Sequence, residues 1–308
     1  MKTERIDMKK LLVAACAAAA MAAIAEENKD APEAETESAP IVWGFGNYGL
    51  YSGYCLYGSL VNSEPVAQGY AELNFNIPAN LGYLGLGVWS NCDLTPRRGR
   101  GNRVFINSPT DGKNLVGGFN EWDFNVHWGK TFWFNDDQTW GLDYRTWFVW
   151  YWYPPHDGYG HTHTTWDWDH SFALLNPYVT PYITWVREYS KGANLLEFGL
   201  RRPTEIDAVE GLTLTPSINF VWREAQYNWC FPTLFGSCQN CNSGIATLRI
   251  QLDANYQITE HFGLFAKIAY CSIIDPDLRR NIDDELDPAA YGATKDFAWG
   301  GIGVTFNF

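Results

Sequence analysis

Four histidines and three aspartates crowd the segment PPHDGYGHTHTTWDWDH: His156, His161, His163 and His170, with Asp157, Asp167 and Asp169. Imidazole and carboxylate are ligands for transition metals, so one reading is a surface metal site, or a loop folded into the mouth of a pore. The other reading is a polar, aromatic external loop that holds no ligand. Cys230, Cys238 and Cys241 pose a similar choice. The stretch CQNC has zinc-like spacing, but the chain offers no matching second pair. Apart from Cys16, the cysteines are Cys55, Cys92, Cys230, Cys238, Cys241 and Cys271. An even number favours disulfides in an oxidising compartment, and spacing does not fix their pairing. A lipid hydrolase on a barrel surface needs Ser and His side by side on the lipid face. Alternation puts His127 inward and His261 at a turn, so no histidine is expected on that face and no catalytic residue is assigned. A protease at the rim needs paired Asp and His, whose geometry no motif here fixes.

These residues sit in a chain that alternates apolar and polar from Trp43 onward. In EWDFNVHWGKTFW, Trp122, Phe124, Val126, Trp128 and Phe132 share one face, and Glu121, Asp123, Asn125 and His127 the other. Leu142, Tyr144, Phe148 and Trp150 oppose Asp143, Arg145 and Trp147. Leu248, Ile250 and Leu252 oppose Arg249, Gln251 and Asp253. A period of two is the signature of strands. These strands are about 10–15 residues long, against ~5–6 in ordinary globular proteins, and a tilted strand needs ~9–11 to cross a bilayer. A transmembrane antiparallel up-and-down β-barrel, all-β, explains that length together with the aromatic strand ends. A soluble sandwich does not require it.

The totals agree. The formal net charge of −13 argues against nucleic acid, whose phosphates demand Lys and Arg. Aromatics make up 16% of the chain, with 15 Trp, the residue that collects at membrane interfaces. No apolar run beyond residue 25 reaches the ~20 residues of a spanning helix. Residues 1–25 combine a basic start, a short apolar stretch and Ala23-Ile24-Ala25, and so read as a signal peptide. Met8 is an alternative start. Cys16 in VAAC loosely matches a lipoprotein box, with a short apolar lead. Residues 26–41 are acidic and rich in Ala and Pro, which predicts a disordered tether before a barrel over 42–308.

Connection lengths predict the topology. Short turns are read at 77–80, 135–138, 176–181, 203–211 and 259–261. Long connections are read at 92–118, 153–165, 225–243 and 274–295. Splitting 166–189 at Asn176-Pro177 restores an even strand number, and the count becomes twelve. All six cysteines then fall at outer strand ends or in external loops. The inward face carries Glu72, Glu121, Asp123, Asp143, Glu188, Glu197 and Asp253, with Arg145, Arg201, Arg223, Arg249 and Lys267. Such charges must pair or meet water. One reading is a narrow channel whose carboxylate excess leans it toward cations. The other is a small barrel filled by interlocking charges. The loop with Arg97, Arg98, Arg100 and Arg103 either folds inward or binds anionic lipopolysaccharide.

Two resemblances add to this. The segment YGLYSGYCLYGSLVNSEPVAQGYAELNFN, then GLGVWSN and EWDFNVHWG, resembles the start of the TorF-type porins. Matching positions are Ser52, Gly53, Tyr54, Gly58, Pro65, Gln68, Gly69, Gly87, Trp89, Ser90, Asn91, Glu121 and Asp123; Tyr57 stands where that family has Arg. The resemblance implies a porin-like channel for small hydrophilic solutes in a Gram-negative outer membrane, with no cofactor. A non-conducting structural or adhesive barrel is the alternative. The alternating end, GGIGVTFNF, resembles the signal by which outer-membrane barrels reach the barrel assembly machinery, with Phe308 as its last residue.

Overall fold

In a computed structural model, residues 41–62, 64–94, 119–153, 163–189, 192–230, 242–284 and 294–308 are described. The signal peptide, almost all of the tether, Cys16, His156, His161, Cys238, Cys241 and the arginines of 97–103 lie outside these residues.

Among the described residues fifteen strands occur in chain order: β1 Val42–Tyr51, β2 Tyr54–Leu56, β3 Ser59–Asn62, β4 Val66–Asn76, β5 Tyr83–Asp93, β6 Phe119–Trp133, β7 Gly141–Tyr153, β8 His163–Leu175, β9 Thr180–Glu188, β10 Ala193–Arg201, β11 Thr204–Glu205, β12 Leu212–Arg223, β13 Gly244–Thr259, β14 Phe262–Ile273 and β15 Asp296–Asn307. Twelve of them form one closed antiparallel barrel. Each pairs with its neighbour in sequence, skipping the short β2, β3 and β11. The ring is sealed by β1 against β15 and continues from β10 to β12. Closure satisfies every ladder without an edge, the condition for a sheet in lipid. The last residue joins the seal: Gly44 N–H donates to the Phe308 carbonyl at 2.7 Å, and Phe308 N–H donates to Gly44 at 3.0 Å.

The expected turns are present. Asn176 makes the one between β8 and β9, its Oδ1 accepting from the N–H groups of Tyr178 and Val179 at 3.0 and 3.1 Å. Those turns gather at one end of the barrel, and the long connections at the other. Two short helices in the long connections were read as loop: α1 Ala225–Cys230 and α2 Pro276–Asp284. Asp275 caps α2 by accepting from Asp277 and Leu278 N–H at 2.8 and 2.9 Å. Arg279 then fastens α2 to the start of β15 through a forked pair with Asp296 at 3.1 and 2.8 Å.

The faces separate as alternation requires. Leu84, Leu86, Phe124, Val126, Phe148, Trp150, Ile183, Ile250, Ile268 and Ile302 point out and are exposed. An apolar belt of this extent is incompatible with a water-facing monomer. Inside, the structure corrects the expectation of a uniformly polar lumen. Tyr51, Val66, Tyr70, Trp89, Val186, Leu195, Val221, Phe265, Phe297 and Trp299 form an apolar cluster there.

The reason is the connection between β1 and β4, which the sequence reading left without a structure. It folds into the barrel as a hairpin, β2 against β3, turning at Tyr57-Gly58. Tyr57 and Gly58 both have positive φ, 49° and 74°. That is the geometry of a two-residue primed turn, which Gly adopts freely and Tyr does not. A Cβ on Gly58 would lie 2.5 Å from Thr247 Oγ1, so only glycine lets the tip meet the wall. An isolated two-stranded hairpin is marginal in water. Burial of Leu56 and Leu60 against the inner cluster contributes about 1.5–3 kcal/mol each.

If the outer belt faces lipid, Val126→Arg should lower the unfolding free energy in phospholipid vesicles by ~2–4 kcal/mol, the cost of a cation near the bilayer midplane. Urea titration of vesicle-inserted protein measures it. An unchanged midpoint would mean that this face does not meet lipid.

Candidate functional site

The lumen holds ionisable side chains at three levels. Near its middle, Arg145 on β7 is fully buried. Its Nη2 lies 2.5 Å from Glu72 Oε2 and 2.8 Å from His127 Nε2. Tyr70 donates to the same Glu72 oxygen at 2.5 Å, and Asn74 Nδ2 donates to the other at 3.0 Å. His127 Nδ1 lies 2.7 Å from Asn125 Oδ1, and its Nε2, besides meeting Arg145, lies 2.7 Å from Asn74 Oδ1. The Trp147 and Tyr83 rings lie 5.1 and 5.9 Å from the guanidinium carbon and supply cation–π contacts. A Cβ on Gly85 would fall 2.0 Å from His127 Nε2, so this strand is bare where the network needs room.

A second pair lies on the wall formed by β10, β12 and β13. Arg249 Nη2 donates to Glu197 Oε1 at 3.0 Å, and Tyr182 donates to the same oxygen at 3.4 Å. Arg201 stacks over Tyr182 at 5.8 Å. Asp143 accepts from Thr131 at 2.9 Å and lies within electrostatic reach of Arg201 and Arg145. Closer to the short-turn end, Lys267 pairs with Asp253 at 3.5 Å. Both are partly exposed, so the lumen is wetter at this end.

The third level is the hairpin. Arg223 Nη2 donates to the Tyr57 carbonyl at 3.0 Å and to Ser59 Oγ at 2.9 Å. Thr247 donates to the same carbonyl at 2.9 Å. These bonds latch the tip to β12 and β13, and hydrogen bonds to a charged partner contribute about 1.5–3 kcal/mol each. On the opposite side the Tyr54 hydroxyl donates to Glu121 Oε2 at 2.6 Å. Beyond Glu121 the wall of β6–β9 presents Asp123, Asp167, Asp169 and Glu188, all buried. Tyr151 donates to Asp167 at 3.0 Å. The Tyr57 hydroxyl lies within electrostatic range of Asp167 and Asp169. Neither that hydroxyl nor Asp169 Oδ1 has a hydrogen-bond partner among the described residues.

Charge is therefore sorted across the lumen. Glu121, Asp123, Asp143, Asp167, Asp169 and Glu188 line β6–β9, where Arg145 is the cation. Arg201, Arg223, Arg249 and Lys267 line β10–β14, with Glu197 and Asp253. The inward residues read from alternation all lie on this inner surface. Asp167 and Asp169 were assigned to a loop and are instead part of the acidic wall.

The histidine segment is corrected. β8 already begins at His163, so Asp167 and Asp169 face inward while His170 faces out. Alternation in a strand divides this ligand set between two surfaces. Among the described residues no group of three or more His, Cys, Asp or Glu can hold a metal. The expectation that no histidine reaches the outer face is also overturned. His170 lies between the rings of Trp168 and Trp185 at 5.0 and 5.3 Å, and its Nδ1 is 2.8 Å from the Tyr144 hydroxyl.

The cysteines are corrected as well. Cys55, Cys92 and Cys271 are all buried. Cys55 lies on the hairpin inside the barrel, facing the lumen wall and not an external loop. Its Sγ is 3.7 Å from Cys271 Sγ on β14. Cys92 has the outward parity of Leu84 and Leu86, away from both. The side chain of Cys230 lies outside the described ones.

No protein-family model matches the chain, and no curated protein does. Solved structures with a similar fold are outer-membrane barrels. The chain is similar to the NanC porin at 11% identity, over 85% of this chain and 98% of that one, with a TM-score of 0.43. It is similar to outer membrane phospholipase A from Escherichia coli at 11% identity, over 86% and 92%, with a TM-score of 0.41. The translocator domain of the autotransporter NalP from Neisseria meningitidis gives 8% identity over 96% of both chains, with a TM-score of 0.42. At such identities the likeness concerns the barrel and not its work.

Arg145→Met leaves the Glu72 carboxylate buried without its cation and should cost ~3–5 kcal/mol. Arg145→Met with Glu72→Gln should recover most of that loss. Urea unfolding of the two variants in detergent measures both. Equal losses would mean that the two side chains are not coupled.

Proposed function

We propose that this protein is a narrow outer-membrane channel for small hydrophilic solutes in a Gram-negative envelope, leaning toward cations, with the inner hairpin as its constriction. The observation that carries the reading is the imbalance of charge in the lumen. Among the described residues, Glu72, Glu121, Asp123, Asp143, Asp167, Asp169, Glu188, Glu197 and Asp253 face five cations, Arg145, Arg201, Arg223, Arg249 and Lys267. An excess of buried carboxylates is too costly for a dry, purely structural filling. It fits a path that admits water and cations. That path runs along β6–β9, between the acidic wall and the hairpin, and it opens when Tyr54 releases Glu121. The unpaired Tyr57 hydroxyl and Asp169 Oδ1 then offer a donor and an acceptor to a passing polar solute.

The basic leader supports export, and the pairing of Phe308 with β1 supports a terminal strand used in assembly by the barrel machinery. Lipopolysaccharide is the proposed partner of the external arginines. The TorF-type likeness supports the porin class, and the matching segment now includes the hairpin itself. No catalysis is proposed: His170 is held by rings and by Tyr144, with no serine among its hydrogen-bond partners. One observation favours a second reading, a non-conducting barrel that acts through its external loops. The hairpin is embedded in an apolar cluster, which suits a fixed plug.

Planar-bilayer recording separates the two. The channel reading expects small, salt-proportional current steps and a reversal potential on the cation side. Glu121→Gln with Asp123→Asn should move that potential toward zero. A silent membrane over correctly folded protein would favour the structural barrel, and an unmoved potential would remove these two residues from selectivity.

A further inference from the structure

Cys55 and Cys271 are far apart in sequence, and both are completely buried. Cys55 sits on β2 of the hairpin and Cys271 near the loop end of β14, so their approach is made by the fold and not by a local turn. The 3.7 Å between the sulfurs exceeds a disulfide bond by about 1.7 Å. The hydrogen-bonded latch acts on the same side of the hairpin, since Arg223 and Thr247 hold the Tyr57 carbonyl.

We infer that Cys55 and Cys271 form a disulfide that pins the inner hairpin to β14. The bond fixes the hairpin on the basic side of the lumen and so sets its distance from the acidic wall. That consequence for conduction rests on the channel reading; the bond itself does not. Because both sulfurs are sealed in the finished barrel, the exchange takes place as the barrel closes, once β1 meets β15 and before the lumen shuts out the exchange partner. The Cys55 thiolate attacks the disulfide of a periplasmic exchange partner, giving a mixed disulfide and one released thiolate. The Cys271 thiolate then attacks the Cys55 sulfur and expels the second. The partner is reduced to a dithiol, two electrons pass to it, and the two cysteine protons end on its sulfurs. Either cysteine can attack first.

The test uses the full chain refolded in detergent with a couple of reduced and oxidised glutathione, so it depends on neither conductance nor location. Residual thiols are blocked with N-ethylmaleimide in denaturant, and the peptides are mapped by mass. The expected product is one cross-linked peptide pair carrying Cys55 and Cys271, lost on reduction. Recovery of both as alkylated thiols overturns the inference, as does either one joined to Cys92, Cys230, Cys238 or Cys241. Pinning has its own readout in amide hydrogen exchange across Tyr54–Leu60. Exchange there should be several-fold slower in the oxidised chain than in the reduced one. Cys55→Ala with Cys271→Ala should abolish that redox dependence, and equal exchange in both redox states of the native sequence overturns the pinning.

Discussion

A sheet surrounded by hydrocarbon has no water to satisfy its backbone, so it must close on itself. Closure is the constraint from which the rest of this structure follows. It fixes an even ring of long strands, sends one side chain in two outward, and forces every other one into a shared interior. The outward set becomes an apolar belt ringed by Trp and Tyr. The inward set has to solve the harder problem of holding ionisable groups in a small volume. It does so by pairing them, as in Arg145 with Glu72 and Arg249 with Glu197, and by leaving a surplus of carboxylates on one wall.

The hairpin shares that interior with the charges. Its two faces meet different surroundings. One side presents a backbone carbonyl and a serine hydroxyl to Arg223, while the other presents the Tyr54 hydroxyl to Glu121. It therefore lies between the basic and acidic walls as an insulating wedge with a polar edge on each side. A plug of apolar residues alone would take the Tyr57 carbonyl and Ser59 from Arg223 and the Tyr54 hydroxyl from Glu121. The wedge accounts for an apolar cluster and buried ions occurring in one lumen.

Alternation made much of this legible before the fold was known. Glu121, Asp123, Asp143, Arg145 and Arg249 were assigned inward because their neighbours in sequence are large and apolar, and twelve strands followed from where Pro and Asn break the pattern. The hairpin was not legible for a related reason. YCLYGSLVN lacks the length of a spanning strand, and its apolar residues look like the end of one. Only its destination, decided by long-range contacts with Arg223, Thr247 and Cys271, shows that it turns inward. Gly58 was the available signal, and a weak one, since two-residue hairpin turns favour Asn-Gly or Asp-Gly and Tyr57-Gly58 keeps only the glycine. His170 was misplaced because a cluster of histidines suggested a loop, while the strand already ran through it and dealt its side chains alternately to two faces.

The central claim is that an inward hairpin narrows a hydrated, acidic passage. Its most direct test is single-channel current from the native chain beside a variant in which residues 53–64 are replaced by a short Gly-Ser turn, both shown to be folded by heat-modifiable migration. The account predicts larger current steps in the variant and a weaker cation preference, as the wedge and its hold on the acidic wall are removed. Equal steps with equal selectivity in the two proteins would contradict it.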